Sequence, residues 1–200
     1  MVVAVPPETD VRDWWNEDLE IDLGQDAEET TPAEAPVTAA AQRPQKDFVH
    51  LHVHSEFSLL DGLSPVKHIV DEVARGGMRS VALTDHGNLY GAIDFYSFAR
   101  AAGIKPILGL EAYVSPRGMA DRTSTQDRNY SHLVLLVKNQ TGYQNLLKLV
   151  SRANLEGYYY KPRVDRALLA EYAQGLIALS ACYSGEPSRA AWPAVMAPSE

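Results

Sequence analysis

Five short apolar runs recur from Phe48 onward, and stretches with helical spacing lie between them. FVHLHV (48–53), SVALT (80–84), IKPILGLEAYV (104–114), HLVLLV (132–137) and GLIALSA (175–181) read as strands, being rich in Val, Ile and Leu. Ser64-Pro65 predicts an N-cap with proline in the first turn, and the helix that follows should stop at Gly76-Gly77. A second helix is predicted from Leu89 to Ala102, closed by Gly103, a third over 142–155 and a short one over 166–172. Ser115 to Tyr130 and Tyr158 to Arg163 read as loops. Strand, helix, strand at this rhythm predicts an α/β fold of parallel βαβ units, either an open doubly wound sheet or part of a barrel.

The rest of the chain has a different texture. Residues 1–47 hold twelve acids and three bases, a net of −9, whereas residues 48–200 hold fourteen acids and fifteen bases. The whole-chain charge of −8 therefore belongs to the first segment and says nothing against a phosphate-bearing substrate. QDAEETTPAEAPVTAAAQRPQ (25–45) has no aromatic residue and cannot bury enough apolar surface to offset its chain entropy, so 1–47 is expected to be an acidic, largely disordered tail. Ahead of it, VRDWWNEDLEIDL (11–23) is either a solvated arm or a short helix that orders on a partner. No run approaches the roughly 18–20 apolar residues of a membrane span. The opening MVVAVPPETD has no basic n-region of a secretory signal, and the lone Cys182 excludes an internal disulfide; a cytoplasmic protein is expected.

In parallel α/β architectures chemistry collects at the carboxyl ends of strands. There the chain places His50, His52 and His54, then Asp85 and His86, then Glu111, His132 and Cys182, with Asp61 in the loop after the first strand. Side chains two apart on a strand share a face at about 6.5–7 Å, a spacing at which two imidazoles can clamp one ion. Any one of these residues is ordinary. Five of the six histidines together with a glutamate, an aspartate and the only cysteine point to a multi-metal site, in which imidazole, carboxylate and thiolate suit zinc first, manganese or iron as alternatives.

FVHLHVHSEFSLLDGL and SVALTDHGNLYGAIDFYSFARAAGIKPILGLEAYV, continued by HLVLLVKNQTGYQNLLKLVS, LEGYYYKPRVD and GLIALSAC, resemble the amino-terminal polymerase-and-histidinol-phosphatase (PHP) domain of bacterial DNA polymerase III alpha subunits. The resemblance covers about residues 47–186. It implies a distorted (β/α)7 barrel with a trinuclear metal cluster, and, residue by residue, His52 and His54 as the His-x-His pair, Asp61 as the acid of the Leu-Leu-Asp-Gly turn, His86, Glu111 as the bridging carboxylate, His132 and Cys182 as ligands. His50, one pair deeper, is read as structural, and His68 on a helix is left out. Lys161 and Arg163 in YYKPR are either phosphate contacts or surface charges.

The family completes its cluster with a later Asp-x-His pair, and no Asp or His follows Cys182 here. The expected domain is therefore an incomplete PHP barrel over 48–186, followed by a divergent, disordered end at 187–200 reached through a frameshift or truncation. A partial site of Glu111, His132 and Cys182, helped by His52 and His54, should hold metal best, with Asp61 and His86 weak. The resemblance implies DNA replication, DNA and replisome subunits as partners, and a 3′-to-5′ exonuclease-type phosphoesterase centre, with little nuclease or polymerase activity in these 200 residues alone. A free-standing PHP phosphoesterase and a non-catalytic interaction module are the rival readings.

Overall fold

The computed structural model describes residues 48–195. The expected acidic tail at 1–47 lies outside them. Helix α1 (Val66–Arg75) buries Val66, Ile69, Val70 and Val73, the i, i+3, i+4, i+7 stripe of an amphipathic helix. Pro65 itself takes the N-cap, one residue later than predicted, and Gly77 ends the helix at φ 74°. Strand β1 (Ser80–Leu83) is buried along its whole length. Helix α2 (Ala92–Ala101) packs Phe95 and Ala99 inward and leads through Gly103, at φ 68°, into β2 (Lys105–Val114). After a 3₁₀ turn (Thr125–Arg128) come β3 (Ser131–Val137), α3 (Gln140–Leu155), β4 (Arg163–Val164), α4 (Arg166–Glu171), β5 (Leu176–Leu179) and α5 (Glu186–Val195). The side chains of Asn139 and Asp165 cap α3 and α4 by accepting from the N–H groups of Gly142 and Leu168.

The sheet is mixed, not parallel throughout as the rhythm predicted. Its order is β1-β2-β3-β5, with β4 pairing β2. β1 and β4 run parallel to β2, whereas β3 runs antiparallel to β2 and β5 antiparallel to β3. The cause lies in the connection: between β2 and β3 the chain holds only a loop and one 3₁₀ turn, with no crossover helix to carry it back to the starting edge.

Two further expectations are corrected. Residues 48–53 form no regular strand; they touch β1 through a single bridge, His50 to Val81, and through the bonds from the Ala82 N–H to the His50 carbonyl and from the Thr84 N–H to the Val53 carbonyl. Thr84 breaks the ladder, since its hydroxyl takes the Val53 N–H at 2.9 Å and also donates to the Val53 carbonyl at 3.0 Å. Residues 187–195, expected to be disordered, lie in helix α5 (Glu186–Val195). Pro187 falls in its first turn, where an N–H would have no helical partner, so proline is tolerated there.

Residues alternate across β2. Leu108, Leu110, Ala112 and Val114 join the main core with α1, α2 and α3, where Phe95, Leu146 and Leu149 are fully enclosed. The other parity, Ile107, Glu111 and Tyr113, faces away from those helices. Beside it on β3 lie Val134, opposite Glu111, and His132, opposite Tyr113. A smaller cluster of Ala82, Val134 and Leu136, flanked by Leu51, Ile177 and Leu179, lines that second face. The candidate ligands gather at its end.

Candidate metal centre

Glu111 is the hub. It is 0% exposed on the central strand, and its two oxygens are met from three directions. His52 Nε2 and His54 Nε2 stand 2.9 and 3.0 Å from Oε2, and His86 Nδ1 stands 3.2 Å from the same oxygen. His132 Nδ1 stands 2.9 Å from Oε1. The antiparallel return explains His132: it opens β3, yet antiparallel pairing lays the start of β3 against the end of β2. Likewise the end of β5 lies near the start of β3, and Ala181, at φ 60°, turns the chain so that Cys182 Sγ comes 3.6 Å from His132 Nδ1 and 3.7 Å from Glu111 Oε1. Asp61, on the exposed loop, places Oδ2 2.9 Å from His86 Nε2. All seven residues expected from sequence thus converge on one point.

The grouping differs from the expected one. His52, His54 and Glu111 form one set of ligand atoms within 4.8 Å of one another, and His86, Glu111 and His132 form another. His86 is therefore not left to Asp61 alone.

The proton inventory tests whether such groups suit a cation. In its neutral form an imidazole carries a single N–H. Ser58 has one hydroxyl proton and gives it to Asp85 Oδ1 at 2.6 Å, while its oxygen accepts the His86 backbone N–H at 3.1 Å. The contact of 3.0 Å between His54 Nδ1 and Ser58 Oγ must then be donated by the ring, and in the neutral ring this leaves His54 Nε2 without a proton toward Glu111 and toward His52 Nε2 at 3.1 Å. At His86 the N–H points to Asp61, and Nδ1 is buried without a hydrogen-bond partner although it faces the carboxylate. Two bare nitrogen lone pairs confronting one carboxylate oxygen repel unless a cation lies among them. The residues present fit divalent ions.

Charge points the same way. Burial pushes the His86 pKa down, as does the neighbouring His54, against the opposing pull of Glu111, so the ring is held neutral and able to donate a lone pair. Burial would raise the Glu111 carboxyl, but the hydrogen bonds from His132 and His52 outweigh it and keep the group well below the usual carboxylate range. Burial, with Tyr130, Asp61 and Glu111 nearby, keeps the Tyr113 phenol protonated.

Arg163 is corrected. It is 0% exposed and cannot meet a phosphate: its guanidinium donates to the carbonyls of Gly157, Asp127, Met119 and Asp121 at 2.9–3.1 Å. Lys161 stays beside the centre, its Nζ 5.4 Å over the ring of Tyr113. His50 bridges to Val81 through its backbone and lays its ring against Phe48, away from the Glu111 cluster. Sequence reading passed over Ser58 and the anchoring role of Asp85. Asp85 accepts from the Ser55 N–H and hydroxyl, both at 2.7 Å, and from Ser58, and so ties the loop bearing His54 and Asp61 to the end of β1. The signal was present as serines flanking the histidines, but serine is too common to carry weight alone. Gly62 closes the same loop so tightly that a Cβ there would lie 1.8 Å from the Ser55 carbonyl oxygen.

The PHP domain family matches residues 50–196. The chain belongs to the PHP domain family. The match extends past the boundary expected at 186 and takes in α5. Among curated relatives, DNA polymerase III subunit alpha of Treponema pallidum is 53% identical over 140 residues, which is 70% of this chain and 12% of the relative. The Thermus aquaticus DNA polymerase III subunit alpha is 52% identical over 143 residues, again 70% of this chain and 12% of the relative. The chain thus matches about an eighth of the length of these relatives. Among solved structures, a two-domain protein from Bacteroides vulgatus containing a predicted PHP-like metal-dependent phosphoesterase aligns over 74% of this chain and 41% of its own, at 19% identity and TM-score 0.41. No helix among the described residues is long and apolar enough to cross a membrane.

Proposed function

We propose that this PHP domain serves a DNA polymerase III alpha-type subunit in DNA replication, in the cytoplasm, and that its Glu111 centre is a phosphoesterase-type site for a DNA phosphodiester, with DNA and other replisome subunits as partners. The observation that carries the reading is the buried Glu111 carboxylate shared by four imidazoles, one of which, His86, faces it with a buried nitrogen that has no hydrogen-bond partner. His52 and His54 would hold one ion with Glu111, and His86 and His132 a second, with Cys182 beside His132 and Asp61 behind His86. Zinc suits this donor set first, manganese or iron next. Divalent ions bound there would supply Lewis acidity to the phosphoester and to an attacking water.

The chain's own residues do the rest. Glu111 supplies the negative charge common to both positions. Asp85, through Ser58, fixes the His54 ring with its proton on Nδ1. Asp61 holds the His86 proton on Nε2. Tyr113 and Tyr130 wall His132 with their rings, 5.3 and 6.0 Å from it, and keep that side of the centre apolar.

Titration of thymidine 5′-monophosphate, the kind of product a 3′-to-5′ exonuclease releases, tests the reading. Binding should require zinc or manganese and should vanish in EDTA and in Glu111→Gln. Equal binding under all three conditions would contradict it. Cleavage of a 3′-mismatched primer by these 200 residues should be slight; robust cleavage lost in Glu111→Gln would favour a free-standing phosphoesterase.

A further inference from the structure

Besides Leu60, which stands before Asp61, and Ala181, which stands before Cys182, one other described non-glycine residue has a positive φ: Tyr160, at φ 60°, before Lys161. The first two aim candidate ligands. The third aims nothing that the metal centre uses. It sits at the tip of a tight turn closed by the bond from the Tyr159 N–H to the Lys161 carbonyl at 3.0 Å, a place ordinarily taken by Gly or Asn. Nor does burial account for a tyrosine there, since Tyr160 is 58% exposed.

Its surroundings are those of a nucleobase platform. The Arg128 guanidinium lies 4.5 Å over the Tyr160 ring, and Tyr159 packs edge-on against it at 4.8 Å. Tyr159 is in turn seated on the buried Arg163, whose guanidinium is 5.0 Å from its ring, so the turn rests on a rigid base. Lys161 reaches back over Tyr113, and Tyr113 stacks against His86 at 5.7 Å. Pro162 presses on Gly87, the residue after His86, so closely that a Cβ there would lie 2.8 Å from its ring. The turn is thus continuous with the metal centre. Exposed rings interleaved with cations bind single-stranded nucleic acid, because every base offers a π-face and every linkage a negative charge.

We propose that the turn over 158–161, with Arg128, is a single-stranded DNA-binding ledge: Tyr160 offers its free face to a base, while Arg128 and Lys161 take phosphates of the strand whose end reaches the Glu111 centre. This deepens the function proposed above and rests on that reading for the choice of DNA over a small phosphoester. An occupant protein would need an extended apolar surface, and the ledge is ring and cation only.

The test is fluorescence anisotropy of the 200-residue chain with a short labelled oligothymidylate, and with a deoxyribose-phosphate oligomer of the same length lacking bases. Both are titrated in EDTA, so binding does not depend on the metal centre and its failure leaves that centre's reading to the nucleotide titration. Tyr160→Gly relieves the positive φ and keeps the turn while deleting the ring. It should weaken oligothymidylate binding about tenfold or more, and should bind the base-free oligomer as the unmodified chain does. Tyr160→Phe should retain the affinity. Lys161→Ala should weaken both oligomers and reduce the salt slope of binding by about 0.7. The ledge is overturned if the unmodified chain binds neither oligomer, if it binds both alike, or if Tyr160→Gly leaves the preference for bases intact.

Discussion

Glu111 and Arg163 are both completely enclosed ionic side chains, and what surrounds them differs in kind. Arg163 is answered by four backbone carbonyls from one loop and its neighbours. Below it, Asp127 is paired by the Arg117 guanidinium at 2.8 and 2.9 Å and by the N–H groups of Thr123 and Ser124. Each nitrogen of the Arg163 guanidinium has an acceptor among these carbonyls. Glu111 instead is met by rings from separate segments, and the buried Nδ1 of one of them, His86, faces it without a hydrogen-bond partner. A buried charge that closes its own hydrogen-bond inventory is architecture; one whose inventory stays open is built for a ligand.

The contrast can be broken at several points, and the largest effect is expected at Arg163. Arg163→Met leaves four buried carbonyls without a donor and should cost about 3–5 kcal/mol of unfolding free energy, measured by urea denaturation in EDTA. A loss under about 1 kcal/mol would remove Arg163 from the architectural side.

Asp85→Asn comes next. It weakens the acceptor that takes the Ser58 proton, so metal affinity should fall by about 10–100-fold. Nitrogen-15 NMR of the metal-free chain should show the His54 proton no longer fixed on Nδ1. An unchanged ring signal together with unchanged affinity would detach Asp85 and Ser58 from the centre.

Acid sharpens the architectural half. Burial would raise the Asp127 carboxyl, but the Ser124 N–H, Arg117 and the Ser124 hydroxyl outweigh it and hold it at about 2, against an ordinary 3.8. A depressed folded-state value stabilises the fold above the unfolded-state value, so this contribution is complete above about pH 4 and is lost as pH falls toward 2. In Asp127→Asn, acid titration of stability should lack that step. The same slope in both proteins would show that another carboxylate carries it.

The smallest effect is expected at Ala181. Ala181→Gly should raise stability by about 0.5–1 kcal/mol by relieving the positive φ, read from thermal unfolding in EDTA, and should loosen the hold on Cys182. A destabilised variant would mean that the turn before Cys182 is not strained.

Much of this was legible in the residues. The helices announced themselves by apolar stripes and by Gly76, Gly77 and Gly103, and Glu111 and the six residues gathered around it were visible as ligand types near strand ends. Strand direction was not legible, because an apolar run reads the same both ways; only the missing crossover helix before His132 hinted at the antiparallel return. Nor was the fate of Arg163. In YYKPR two basic residues stand two apart, and nothing local says that one is swallowed by carbonyls from residues 119, 121, 127 and 157 while the other stays over Tyr113. Likewise PSRAAWP reads as a breaker until Pro187 is seen in a first turn.

One buried carboxylate, Glu111, is proposed to serve two metal positions. Titrating the metal-free chain with cobalt(II), followed by its visible absorption and checked against zinc competition, tests it directly. Two ions should bind, His52→Ala should lose the one held with His54, and Glu111→Gln should lose both while remaining folded in EDTA. Uptake of the same two ions with unchanged affinity by Glu111→Gln would contradict the account.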